Sequence, residues 1–299
     1  MVPAMVPRHR TGISPVLKLI HLTDLHFTPP GIDHLECEPR QRLEQAIESI
    51  NAEHGDAAFV VITGDLAALG QAAAYEDLKD CLSALRVPYR LCLGNGDHRT
   101  RFRETFPEIE VDENGFVQSV VETAAGRLIL LDTLCQGVHW GELCALRLAW
   151  LSRQLEASGS SPLFLFMHHP PFPIGIDLLD GLRLRDADRL AALLEGRTVR
   201  HIFLGHAHRP VAGSWRGIPF SILRSTVSQF ALRLGNARPA RCYEPPFYAV
   251  TLLSKDDVIV HFHDYSYDGP VVAYEPVPDI VVDDEAAAAD FQKQRKSPR

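Results

Sequence analysis

Five short motifs place metal-ligand side chains directly after apolar, strand-like runs. They are Asp24-Leu25-His26, Gly64-Asp65, Gly94-Asn95-Gly96-Asp97, His168-His169-Pro170-Pro171 and Gly205-His206-Ala207-His208. Singly, each has a bland explanation. Asp-x-His can be a loop or cap, Gly-Asp a turn, and His-His-Pro-Pro the end of a strand. Together, in chain order and each after a strand, they argue for a metal centre. Asp24 and His26 alternate with Leu25, and in an extended segment residues i and i+2 point the same way. His206 and His208 repeat that spacing. Asp65 carries two oxygens and can bridge two ions, and Asn95 offers a neutral oxygen. Carboxylate and amide oxygens mixed with imidazoles suit Zn, Mn, Fe or Co better than Ca or Mg. Two such ions ~3.5–4 Å apart clamp a phosphate and generate hydroxide as a nucleophile. The motifs therefore predict a two-metal hydrolytic site on the loop edge of a sheet.

The elements that must position these residues follow from periodicity. Val16–Leu22, Ala58–Thr63, Tyr89–Leu93, Leu163–Met167 and Val199–Leu204 read as strands, each leading into a motif. Gly115–Thr123 and Arg127–Asp132 read as consecutive strands about a turn at Ala125-Gly126. Helices are expected over Arg40–His54, Ala72–Leu85, Leu143–Ala157 and Asp186–Leu194, the first with Leu43, Ala46, Ile47 and Ile50 at helical spacing. Val211–Trp215, Ile218–Leu223, Phe247–Leu253 and Val258–His263 complete the strands. Strands alternating with helices, then strands in series, predict two packed sheets flanked by helices. Residues 1–14 read as a flexible arm, 15–282 as the folded domain and 283–299 as a disordered tail.

Composition narrows the function. The chain has 299 residues, enough for one large α/β domain or two ordinary ones, and its 46% hydrophobic and 23% charged residues are those of a soluble globular protein. A net charge of −8 argues against a nucleic-acid polymer or an anionic membrane as partner. Six scattered cysteines without a C-x-x-C pair fit a reducing, cytoplasmic setting better than a disulfide framework. No run approaches the ~20 apolar residues of a membrane span. A homo-oligomer is left open.

The motif order D-x-H, G-D, G-N-x-D, H-x-P, G-H-x-H resembles the calcineurin-like metallophosphoesterases. Between motifs, Gly64-Asp-Leu-Ala-Ala-Leu-Gly70 with Tyr75, His168-His-Pro-Pro-Phe-Pro-Ile-Gly175 and Leu184-Arg-Asp-Ala-Asp-Arg-Leu190 are similar to the class III cyclic-nucleotide phosphodiesterase branch. The resemblance runs from about Val16 to about Asp264. It implies an α/β fold, a four-layer α/β/β/α metallophosphoesterase sandwich, and two divalent or trivalent transition-metal ions. Carried onto matching positions, Asp24, His26 and His208 would hold the first ion. Asn95, His168 and His206 would hold the second, and Asp65 would bridge. His168 matches H-x-P, which leaves His169 to contact the substrate or support a ligand. Asp97 would orient a catalytic or ligand side chain.

One position departs from the pattern. Gly96 stands where many members of the family carry a histidine that contacts the phosphate and helps the leaving group depart. His98, two residues on, is the rival proton donor. Arg99, Arg101 and Arg103 could meet an anion or form a solvated helix face, and Arg209 is a candidate substrate contact. The expected activity is hydrolysis of a small phosphodiester, a cyclic nucleotide first, by metal-activated hydroxide. The alternatives are a glycerophosphodiesterase, phosphonate esterase or phosphomonoesterase on the same ions. A rival of another class is a catalytically weakened metal- or nucleotide-binding protein, suggested by Gly96.

Overall fold

The computed structural model describes residues 16–272. The arm expected over residues 1–14 and the tail expected over 283–299 lie outside them. The chain opens with β1 (Leu17–Leu22), α1 (Pro39–Glu53), β2 (Phe59–Thr63), α2 (Ala72–Leu82), β3 (Tyr89–Cys92) and α3 (Arg99–Thr105). It continues through β4 (Ser119–Thr123), β5 (Gly126–Leu130), α4 (Ala145–Ala157), β6 (Leu163–Phe166), α5 (Asp177–Asp180), α6 (Ala187–Leu194) and β7 (Val199–Leu204). It closes with β8 (Val211–Trp215), β9 (Ile218–Ile222), β10 (Gln229–Phe230), β11 (Arg241–Cys242), β12 (Tyr248–Leu253) and β13 (Val258–His263).

Two large sheets result. One has the order β13-β12-β1-β2-β3, with β1, β2 and β3 parallel. The other has the order β4-β5-β6-β7-β9-β8, with β5, β6, β7 and β9 parallel. The central strands β2 and β6, buried on both faces, are apolar at almost every position. The faces separate by the period of two. Ile20, Leu22, Val60 and Ile62 face α1 and α2, while Leu19 and Val61 face the second sheet. On that sheet Leu128, Leu130, Phe164, Phe166 and Phe203 point inward to meet them. Ile129, Leu165, Ile202 and Leu204 point outward into a core shared with Leu148, Leu151 and Leu155 of α4 and Leu190 and Leu194 of α6. Three cores between four layers make the α/β/β/α sandwich.

The layer between the sheets is not wholly apolar. His21 Nε2 lies 2.8 Å from Thr63 Oγ1, and His201 Nε2 lies 3.0 Å from Ser221 Oγ. The His21 ring meets Phe166 and Phe203 edge-on. Burial pushes His21 down to about 3 and His201 down to about 4, so both are neutral near pH 7.

Three expectations differ from the structure. Gly115–Gln118 is not strand, because Asp112 Oδ1 accepts from the amides of Asn114 and Phe116 and folds the segment into a turn. α2 gives way after Leu82 to i→i+3 bonds from Ala84 and Leu85. α3, which the sequence offered only as a solvated face for Arg99, Arg101 and Arg103, buries Phe102 alone. The apolar segment after Pro171 contributes Phe172, Ile176, Leu179 and Leu184 to a core. No helix among the described residues is long and apolar enough to cross a membrane.

Candidate metal centre

All five motifs come together at the carboxyl ends of parallel strands, the edge where open α/β sheets gather ligands. Asp24 and His26 follow β1, Asp65 follows β2 and Asn95 follows β3. His168 and His169 follow β6, and His206 and His208 follow β7. The backbone there is not extended, as the alternation argument supposed. Asp24 (φ 55°), His26 (φ 51°), Asp65 (φ 47°), His206 (φ 70°) and His208 (φ 48°) are all left-handed. Among the described residues, eight non-glycine positions have positive φ, and five of them are these. Such conformations cost roughly 1–2 kcal/mol each and persist where surrounding contacts enforce them. Here Asp24 N and His26 N donate to Gly64 O and Asp65 O, which ties the first motif to the second.

The side chains converge on one buried space. Thr23 Oγ1 and His206 N both donate to Asp24 Oδ2, which turns Oδ1 inward. Asp24 Oδ1 lies 3.2 Å from His208 Nε2, and His26 Nε2 lies 2.9 Å from His208 Nε2. Asp65 Oδ2 lies 3.6 Å from His26 Nε2, while Asp65 Oδ1 lies 3.4 Å from His168 Nε2. His168 Nδ1 donates to Thr63 O and His208 Nδ1 to Ser228 O, each at 2.7 Å, and both Nε2 atoms face the centre. Asp24, His26, Asp65 and His208 form one group that could hold an ion, and His168, His169 and His206 form another. His169 therefore stands closer to the second group than H-x-P spacing suggested. Its Nδ1 lies 2.8 Å from Thr133 Oγ1, and its ring packs 4.7 Å from that of His206.

These atoms fit metal ions. Asp24 Oδ1, Asn95 Oδ1 and the Nε2 atoms of His168, His169 and His206 are buried without a hydrogen-bond partner. Burying that many lone pairs together is unfavourable without a cation. Burial alone would raise Asp24, but the His208 and His168 imidazoles outweigh it and hold its carboxyl below the usual range. Burial lowers His206 to about 3 and puts His26 and His169 well below the ordinary imidazole value. His26, His169 and His206 are thus neutral imidazoles, the protonation state that metals require, whereas burial raises the Asp65 carboxyl and the Asp24 carboxylate, acting against burial, raises His208.

Other sequence candidates are engaged elsewhere. Asp97 accepts from the amides of Leu66, Ala67 and Gly94 and from Tyr75 Oη, clamping the Asp65 loop to the Asn95 loop. His98 does not turn inward: its Nδ1 accepts from Arg101 N and caps α3. Arg99 grips Asp132 through two bonds of 2.7 and 2.9 Å and is not free for an anion. Arg209 donates to Phe230 O and Glu244, which also neutralises it.

Gly96 is closely enclosed. A Cβ there would lie 2.6 Å from Ala67 O, a backbone atom that cannot swing aside. The site lacks both the imidazole and the room for it. Sequence reading missed His139, which is exposed and accepts a 3.3 Å hydrogen bond from Asn95 Nδ2. It sits in a loop with no motif, so nothing marked it.

Residues 17–210 match the family model for the calcineurin-like phosphoesterase. The chain belongs to that family. It is a metallophosphoesterase, and the family uses divalent metal ions. It is 41% identical over 260 residues to a probable cyclic nucleotide phosphodiesterase of Rhodopseudomonas palustris, covering 85% of this chain and 95% of that one. A glycerophosphodiester phosphodiesterase of Enterobacter lignolyticus is 32% identical, over 76% of this chain and 84% of that one. In fold, it is similar to a purple acid phosphatase from yellow lupin, with a TM-score of 0.62 at 13% identity, covering 87% of this chain and 53% of that one.

Proposed function

We propose that this chain is a dinuclear phosphodiesterase for small phosphodiesters, with cyclic nucleotides the first substrates to test. Asp65 carries the reading. One of its oxygens approaches His26 and the other His168, at 3.6 and 3.4 Å, as a carboxylate shared by two ions requires. Asp24, His26 and His208 would hold the first ion, and Asn95, His168 and His206 the second. His168 is preferred to His169 because it neighbours Asp65 and is oriented by the Thr63 carbonyl. Bound ions supply Lewis-acid charge to a phosphoryl oxygen and acidify an attacking water.

The protein's own groups do the rest. Thr23, Thr63 and Ser228 fix the ligand orientations. Asp97 fixes the distance between the Asp65 and Asn95 loops. His139 stands at the exposed side of Asn95 and is the candidate to protonate a departing alkoxide. The similarity to a probable cyclic nucleotide phosphodiesterase supports the substrate class. Similarity to a glycerophosphodiester phosphodiesterase supports a second reading on the same site.

The test is hydrolysis of bis-p-nitrophenyl phosphate against the monoester with added Mn²⁺, then 3′,5′-cyclic AMP against a glycerophosphodiester. Diester turnover should exceed monoester turnover and fall to background in Asp65→Ala. A preference for the monoester, or an Asp65→Ala variant with full metal content and activity, would sink the proposal.

A further inference from the structure

Three histidines gather about Asp24 and Asp65, and two are oriented in the usual way. His168 and His208 each donate from Nδ1 to a backbone carbonyl. His26 does not: its Nδ1 is buried without a hydrogen-bond partner. A ligand ring free to turn about its Cβ–Cγ bond would hold an ion poorly, so something else must fix its plane. The ring of His34 lies against it, centroids 4.9 Å apart and planes within 2° of parallel. That separation is in the range of offset-stacked rings.

The segment that presents His34 is built under strain. His34 and Cys37 exchange both backbone hydrogen bonds, closing a two-residue turn across Leu35 and Glu36. Both central residues are left-handed, at φ 52° and 63°. Such a turn favours Asn-Gly, and Leu-Glu suits it badly. Cys37 Sγ donates to Val227 O, which anchors the turn to the loop of Ser225 and Ser228. That loop also orients His208 through Ser228 O and is tied to Asp24, since Ser225 Oγ donates to Asp24 O. The strained turn and the ligand loop are therefore one assembly, and its product is a flat ring against His26.

We infer that His34 is a positioning residue for the metal centre: it fixes the plane of the His26 imidazole by stacking, in place of the missing hydrogen bond to Nδ1. The inference rests on the dinuclear reading above. It adds a residue outside all five motifs, held by a contact that no ligand pattern contains.

Calorimetric titration of the metal-stripped full-length protein with Zn²⁺ tests it. Wild type should bind two ions. His34→Ala should weaken one of them by about 10–100-fold, the usual effect of losing a group that orients a ligand, and leave the other within about twofold. His34→Phe, which keeps a flat ring and no nitrogen, should return the weakened site to within about threefold of wild type. Equal affinities in His34→Ala and wild type would overturn the inference, as would a Phe variant as weak as the Ala variant. Should His34→Ala fail to fold, His34→Gln against His34→Phe decides by the same criterion. A wild type that binds no ion overturns the metal-centre reading itself, and this inference with it.

Discussion

Position 96 shows what a missing side chain means when its surroundings are seen. From sequence, Gly96→His looks like the restoration of a proton donor. In the structure any side chain at 96 meets the Ala67 carbonyl. Gly96→His is expected to lower stability by about 1–3 kcal/mol, as overpacking does, and not to raise turnover of any diester. Thermal melts and kinetics check both. His139 is the better test of leaving-group assistance. General-acid help is typically worth ~10²–10⁴ in rate and matters least for a nitrophenolate. His139→Ala should therefore slow an alkyl or cyclic-nucleotide diester more than a p-nitrophenyl diester. Equal losses would mean that His139 serves only to orient Asn95.

At the scale of elements, the central strands were legible because runs such as Phe59–Thr63 and Leu163–Phe166 are apolar on both faces. Phe59–Thr63 and Val199–Leu204 can hardly be anything else. The clustering of the candidate ligands was legible as well, since Asp, Asn and His after such runs have few other reasons to recur. What the sequence hid was local backbone chemistry. Asp112 competes for amides that a strand would use, α3 has one buried residue to announce it, and no pattern marks His34 or His139. The left-handed turn at Leu35-Glu36 is the element most open to improvement. The double change L35N/E36G should stabilise the protein by roughly 1–2 kcal/mol by relieving two left-handed residues. Chemical denaturation measures it, and an unchanged or lowered midpoint would show the turn to be unstrained.

For the whole molecule, the polar layer between the sheets contributes to the response to acid. His21 and His201 sit at about 3 and about 4 in the folded state, below the ordinary value of 6.5. The unfolded chain therefore binds protons first as pH falls. Their contribution to stability is complete above about pH 6.5 and is lost progressively toward pH 4 and below, at up to roughly 1.4 kcal/mol per pH unit for each proton taken up. His201→Asn should flatten that slope in denaturation curves taken between pH 4 and 6.5. Removing metal should act separately. Chelation should lower the melting temperature at neutral pH, and excess Mn²⁺ should restore it, because an ion bound only by the folded state stabilises by mass action.

The five left-handed residues at the centre have a consequence for selection. At Asp24, His26, Asp65, His206 and His208, glycine would suit the backbone better than the residue present. A library of variants sorted for metal-free stability alone should enrich glycine at these places, while one sorted for catalysis should forbid it. The same five codons would thus be the most tolerant under one regime and among the least tolerant under the other. Comparing the two sorted pools would map the active centre without a substrate in hand.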